Sequence, residues 1–138
     1  MTGKGVIYVD QMFNQNGAAV TALTAMNTGT TSTAGTYAPQ LSGTLIKIGI
    51  FINPQAATSL CQQARIELGQ TNWTPNVLRF PVAGFGLATV PQAFAGSELL
   101  FEFVVNQPVQ TDWAITGNAI QFWSPVTPGI IVYGYFSA

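Results

Sequence analysis

The chain has 138 residues, of which 48% are apolar but only 7% charged, and its formal net charge is −1. Four basic side chains cannot track a phosphate backbone, so no direct nucleic-acid binding is expected. With no histidine and one cysteine, Cys61, Ser-His and Cys-His pairs, an internal disulfide and the usual metal sites are also excluded.

Soluble proteins are typically about 25% charged. Here the charged residues are Lys4, Asp10, Lys47, Arg65, Glu67, Arg79, Glu98, Glu102 and Asp112, with none from Gln11 to Ile46 and none after Asp112. Long uncharged stretches imply that much of the surface meets protein rather than bulk water. The alternative is a soluble surface built from Thr, Ser, Asn and Gln, which are abundant.

In chain order, Met1 to Asp10 lacks the apolar run of roughly 7 to 15 residues that a signal peptide needs. No leader is therefore expected, and Gly5 to Asp10 reads as a strand. Ala18 to Met26 is a second strand, after a turn at Asn16-Gly17. From Thr21 to Thr36 the composition is simple, and residues 27–36 form a Thr/Gly-rich loop, expected to be mobile unless a neighbouring subunit holds it. Leu45 to Ile52 alternates strictly, with Ile46, Ile48, Ile50 and Ile52 on one face of a core strand.

Asn53 followed by Pro54 is a helix-start signal, and Ala57, Leu60, Cys61 and Ala64 then keep helical spacing. A short helix is expected there, running into a strand at about Arg65 within the segment Gln62 to Leu68. Cys61 reads as a small buried apolar residue. Asn72-Trp73-Thr74 matches the glycosylation pattern, making Asn72 a candidate acceptor on a surface loop before the turn Thr74-Pro75-Asn76.

Val77 to Val82 is the next strand. Gly84-Phe85-Gly86 reads as a turn or bulge, lacking the third glycine and lysine of a phosphate loop, and Pro91 to Gly96 has room for one helical turn. Glu98 to Val105 is the second strictly alternating strand, with Leu99, Phe101, Phe103 and Val105 inward. Glu98 and Glu102 on one face would stand ~13 Å apart, too far for paired carboxylates on a glycosidic bond, which sit about 5 to 9.5 Å apart. Asp112 to Thr116 adds a short strand, Gly117-Asn118 a turn, and Ala119 to Trp123 another strand.

After the turn Thr127-Pro128-Gly129 comes Ile130 to Phe136. Ile131, Tyr133 and Tyr135 lie on one face and Ile130, Val132 and Phe136 on the other, both apolar. A strand apolar on both faces must be covered on both sides, so these six residues form a candidate assembly strand. Trp73, Trp113 and Trp123, with the tyrosines, serve either as core and contact area or as a sugar-stacking platform.

Seven or eight short strands with such turns define an all-β antiparallel sandwich over residues 1–138, with jelly roll the expected wrapping and at most one or two short helices. No apolar run approaches the ~20 residues of a membrane-spanning helix. No catalytic, metal or cofactor-binding residue is assigned, and no enzyme is expected.

The short chain, strands throughout and a tyrosine-rich last strand together resemble the small single-jelly-roll structural proteins of icosahedral viruses. That resemblance implies a coat, vertex, turret or decoration protein located in the virion, with copies of itself and other structural proteins as partners. The scarcity of basic residues departs from coats that package naked genome. It suits a shell separated from nucleic acid by a membrane or another protein. A filament or surface-layer subunit outside the cell, and a lectin-like carbohydrate-binding module, are the alternatives.

Overall fold

The structure is a computed structural model describing residues 6–16, 20–53, 60–83, 99–124 and 129–138. Ten strands are described: β1 (Ile7–Asn16), β2 (Val20–Ala25), β3 (Asn27–Thr28), β4 (Thr36–Tyr37), β5 (Gly43–Asn53), β6 (Leu60–Gly69), β7 (Val77–Ala83), β8 (Leu99–Val109), β9 (Ile115–Ser124) and β10 (Gly129–Ser137). Eight have six or more residues; β3 and β4 have two each.

One sheet runs β3-β1-β10-β5-β8 and the other β2-β9-β6-β7, with β4 added to β9. All the strand pairs are antiparallel. Counting only the eight long strands in chain order, the sheets read 1-8-3-6 and 2-7-4-5. Successive long strands cross between sheets at every step except the hairpin of β6 and β7, which is the double Greek-key wrapping of a jelly roll.

The core lies between the sheets. Ile48, Ile50 and Ile52 of β5 and Ile130, Val132 and Phe136 of β10 meet Ile66 and Leu68 of β6, Phe80 and Val82 of β7, and Ile115 and Ala119 of β9, all buried. Phe103 packs on Phe80 across the sheets, ring centroids 5.2 Å apart. The inward side of β8 is as expected, with Phe101, Phe103 and Val105 against the core and Leu100 and Val104 outward.

Two bulges break the period in the β1-β10-β5-β8 sheet, and the other sheet shifts register in β2 and in β6. In β1 the register shifts between Gln11 and Phe13, so Met12 and Phe13 are both fully buried although adjacent. In β5 it shifts between Leu45 and Lys47, with Asn106 opposite at φ 50°, a left-handed conformation that Asn tolerates better than most residues. Leu45 therefore takes the core position expected for Ile46, which is only half-buried.

The bulge in β1 also explains a glycine. Gly117-Asn118 is not a turn but part of β9, and a Cβ on Gly117 would lie 2.8 Å from the Phe13 ring, a close approach only glycine permits. Asp112 lies in a turn and Trp113 and Ala114 outside any strand, so β9 begins at Ile115. The helical spacing through Leu60, Cys61 and Ala64 is likewise overruled, because this segment is strand β6, paired with β9 from Leu60 and with β7 from Gln63. Pairing on both sides satisfies its backbone and outweighs local spacing.

The Thr/Gly-rich segment is held by its own chain. Asn14 Nδ2 donates to the Gly29 and Thr31 carbonyls, Gln11 Nε2 donates to Gly29 O at 2.7 Å, and Gly29 N donates to Met12 O at 2.8 Å. A neighbouring subunit is not needed to fix it. Asn16-Gly17, the helix start from Pro54, Gly84-Phe85-Gly86, the turn at Pro91 to Gly96, Glu98 and Thr127-Pro128 fall wholly or partly outside the described residues.

Candidate functional site

The two sheets turn different surfaces outward. On the β2-β9-β6-β7 sheet, Glu67 Oε2 lies 3.1 Å from Arg65 Nε and 3.3 Å from Arg79 Nε. The pair with Arg65 lies off a hydrogen-bonding direction, since that Nε has no bonded partner. Glu67 is buried beneath the two guanidiniums although it points outward. Asn118 lies beside Glu67 in register, and Ile120 beside Arg65.

The outer face of the β1-β10-β5-β8 sheet is largely apolar. Register sets three rows across it: Val9, Tyr135, Lys47, Val104; then Gln11, Tyr133, Gly49, Glu102; then Asn14, Ile131, Phe51, Leu100. Ile7 and Val104 are 70% and 73% exposed, with Val9 and Leu100 about half so. These are large apolar side chains standing in water on a continuous surface, unlike the scattered exposed residues of an ordinary monomer.

Packing within the face makes it firm. Phe51 meets Tyr133 edge-on with centroids 5.2 Å apart, and the Lys47 ammonium lies 4.7 Å from the centre of the Tyr135 ring. Lys47 Nζ also lies 3.2 Å from Glu102 Oε2, so the two charges cancel locally. Tyr135 and Leu100 lean over Gly49, where a Cβ would touch both at 3.4 Å.

Of the six residues in the candidate assembly strand, the structure divides the set. Ile131, Tyr133 and Tyr135 lie half-buried on this outer face, whereas Ile130, Val132 and Phe136 are fully buried in the core. Phe136 stacks between Tyr8 and Tyr37, centroids 5.0 and 5.8 Å away. Only the first three are open to a partner. β10 itself is central, flanked by β1 and β5, so its backbone is not free to pair across an interface. Sequence reasoning missed Ile7, Val9, Leu100 and Val104 as members of the same surface. Their alternation is visible in sequence, but not that β1 and β8 flank β10 and β5.

Tyr37 donates to Asp10 Oδ2 at 2.6 Å and Gln40 Nε2 donates to the same oxygen at 3.0 Å. Burial first, and then the adjacent Asp10 carboxylate, hold the Tyr37 phenol far above its usual range. This cluster ties β4 of one sheet to β1 of the other.

Trp73 is no stacking platform. It is buried, and its Nε1 donates to Pro108 O at 2.7 Å. Trp113 packs against the core, and Tyr37 is buried; the Trp123 side chain falls outside the described residues. Asn72 is exposed on the β6–β7 turn, where its Nδ2 donates to Gln70 Oε1 at 2.9 Å. Cys61 lies on β6, opposite Trp123. Among the described residues no three of His, Cys, Asp and Glu come together, and no helix is long and apolar enough to cross a membrane.

No family model matches the chain, and no curated protein matches it. Among solved structures, a chain in the "Structure of infectious bursal disease virus Gx strain" is similar with 10% identity and a TM-score of 0.33, over 99% of this chain and 42% of that one. The chain thus spans less than half the length of that neighbour. At that TM-score the likeness sets no fold relationship, and the jelly-roll assignment rests on strand order alone.

Proposed function

We propose that this chain is a structural subunit that acts by assembling with protein surfaces, as a coat, vertex, turret or decoration protein of a virion, and that it is not an enzyme. The observation that carries the proposal is the largely apolar outer face of the β1-β10-β5-β8 sheet, on a chain whose other sheet carries the Arg65, Glu67 and Arg79 cluster outside. Water leaves such a face at a gain of roughly 25 cal/mol per Å2 of apolar surface covered. The jelly-roll wrapping is shared by viral capsid, lectin and cupin domains, a fold-level analogy only. Burial of Trp73 removes one of the rings that the lectin reading would use.

Density-gradient fractionation of the source material tests this. The chain should sediment with particles, at a stoichiometry comparable to their other structural proteins. Recovery only as free protein at the top of the gradient would refute the proposal. A filament or surface layer would appear as extended or sheet-like material in the same fractions under the electron microscope.

A further inference from the structure

Building on the assembly reading, we infer that the outer face of the β1-β10-β5-β8 sheet is occupied by the same face of a second copy. The two sheets pack face to face about a two-fold axis parallel to the strands, between β10 and β5. Charge gives the first reason. Among the described residues the face carries one cation and one anion, Lys47 and Glu102, already 3.2 Å apart, so there it selects no partner of one sign. Its complement is a neutral apolar surface, and the chain carries one.

Register gives the second reason. The proposed axis exchanges β10 with β5 and β1 with β8 within each row. Val9 then meets the partner's Val104, Tyr135 meets the partner's Lys47, and Ile131 meets the partner's Phe51. Glu102 falls opposite the partner's Gln11, whose amide donates one N–H to its own Gly29 O and has a second to offer. The contact of Lys47 with Tyr135 seen within one chain is thereby repeated between chains. An axis across the strands at the central row would instead set Glu102 against its own copy, opposing like charges.

Size agrees. Four strands about 4.8 Å apart, from the level of Ile7 to that of Asn14, cover roughly 450 Å2 of flat footprint per copy. Side-chain relief brings two copies to the order of 1,200 Å2, the lower end of specific interfaces. Edge-to-edge pairing is a competing arrangement, and two of the edges, β8 and β7, are blunted against it. β8 carries Glu102, Asn106 at positive φ and Pro108, and β7 carries Arg79 and Pro81.

Size-exclusion chromatography with light scattering over a wide range of protein concentration tests the inference. The parent chain should dimerise. Val104→Lys alters a side chain 73% exposed, so circular dichroism should show an unchanged fold. It should nevertheless weaken the dimer by roughly a hundredfold or more, because it buries an unpaired ammonium. Leu23→Lys changes an exposed leucine on the other sheet and should leave dimerisation unchanged. A dimer indifferent to Val104→Lys, or equally sensitive to Leu23→Lys, would place the contact elsewhere and overturn the inference. A chain monomeric at every concentration would overturn it too, assigning the face to a different protein. The gradient experiment above is unaffected by either result, so the two proposals fail separately.

Discussion

Replacing Trp73 by alanine tests whether the aromatic residues serve the core or a ligand. Trp73 is 2% exposed, and its indole N–H reaches Pro108 O across the end of the sandwich, tying the β6–β7 turn of one sheet to β8 of the other. Removing a buried ring of this size costs about 3–5 kcal/mol. The hydrogen bond contributes about 1 kcal/mol of that; Pro108 is exposed, so its carbonyl can turn to water instead. Trp73→Phe, which loses the bond but keeps most of the ring, should therefore cost only about 1–2 kcal/mol. A domain is typically stable by about 5–15 kcal/mol, and at about 3–5 °C per kcal/mol the alanine variant should melt some 10–20 °C lower. Urea unfolding followed by far-UV circular dichroism avoids the lost tryptophan signal. A Trp73→Ala variant within about 1 kcal/mol of the parent would show that the ring carries little packing, and would reopen the sugar-platform reading.

Ile48→Asp and Phe101→Asp should each prevent soluble folding, since each sets an unpaired carboxylate on the core side of a sheet; an expressed variant with parental melting would contradict that assignment. Thr30→Asp lies on an exposed turn and should change stability by no more than about 0.5 kcal/mol, so a larger loss would show that the turn is packed. Tyr37 makes stability fall in alkali. In the unfolded chain its phenol titrates near ~10, whereas burial and Asp10 keep it protonated well above that in the fold. Its contribution is fully present below pH ~10 and declines above it, by at most about 1.4 kcal/mol per pH unit. Tyr37→Phe should flatten this slope in urea titrations at several pH values; an unchanged slope would refute it.

What could be read from sequence was whatever a single strand decides for itself. The alternation through Ile48, Ile50 and Ile52, and through Phe101, Phe103 and Val105, located two core strands and their faces. The long-range features were hidden. Nothing local announces that Met12 and Ile46 sit at bulges, so the inward place of Leu45 was unreadable. Gly117 looked like a turn because its reason, the Phe13 ring, lies about a hundred residues away in sequence. Leu60 to Ala64 kept helical spacing over too few residues to separate helix from strand. The Thr/Gly-rich segment is simple in composition, and its anchors, Gln11 and Asn14, belong to β1. Of the candidate surface, Ile131, Tyr133 and Tyr135 were identified in advance. Placing Ile7, Val9, Leu100 and Val104 beside them required the strand order.

The claim that this chain associates through an apolar, nearly uncharged surface is tested most directly by light scattering on the purified protein, at low and high sodium chloride, in sulfate, and at two temperatures. Ion pairs contribute little to such a contact, and salt near 1 M screens exposed charges within about 3 Å. Association should therefore persist in high sodium chloride, strengthen in sulfate, and weaken on cooling as apolar burial loses its driving force. Dissociation by sodium chloride alone, or a stable monomer under every condition, would contradict it.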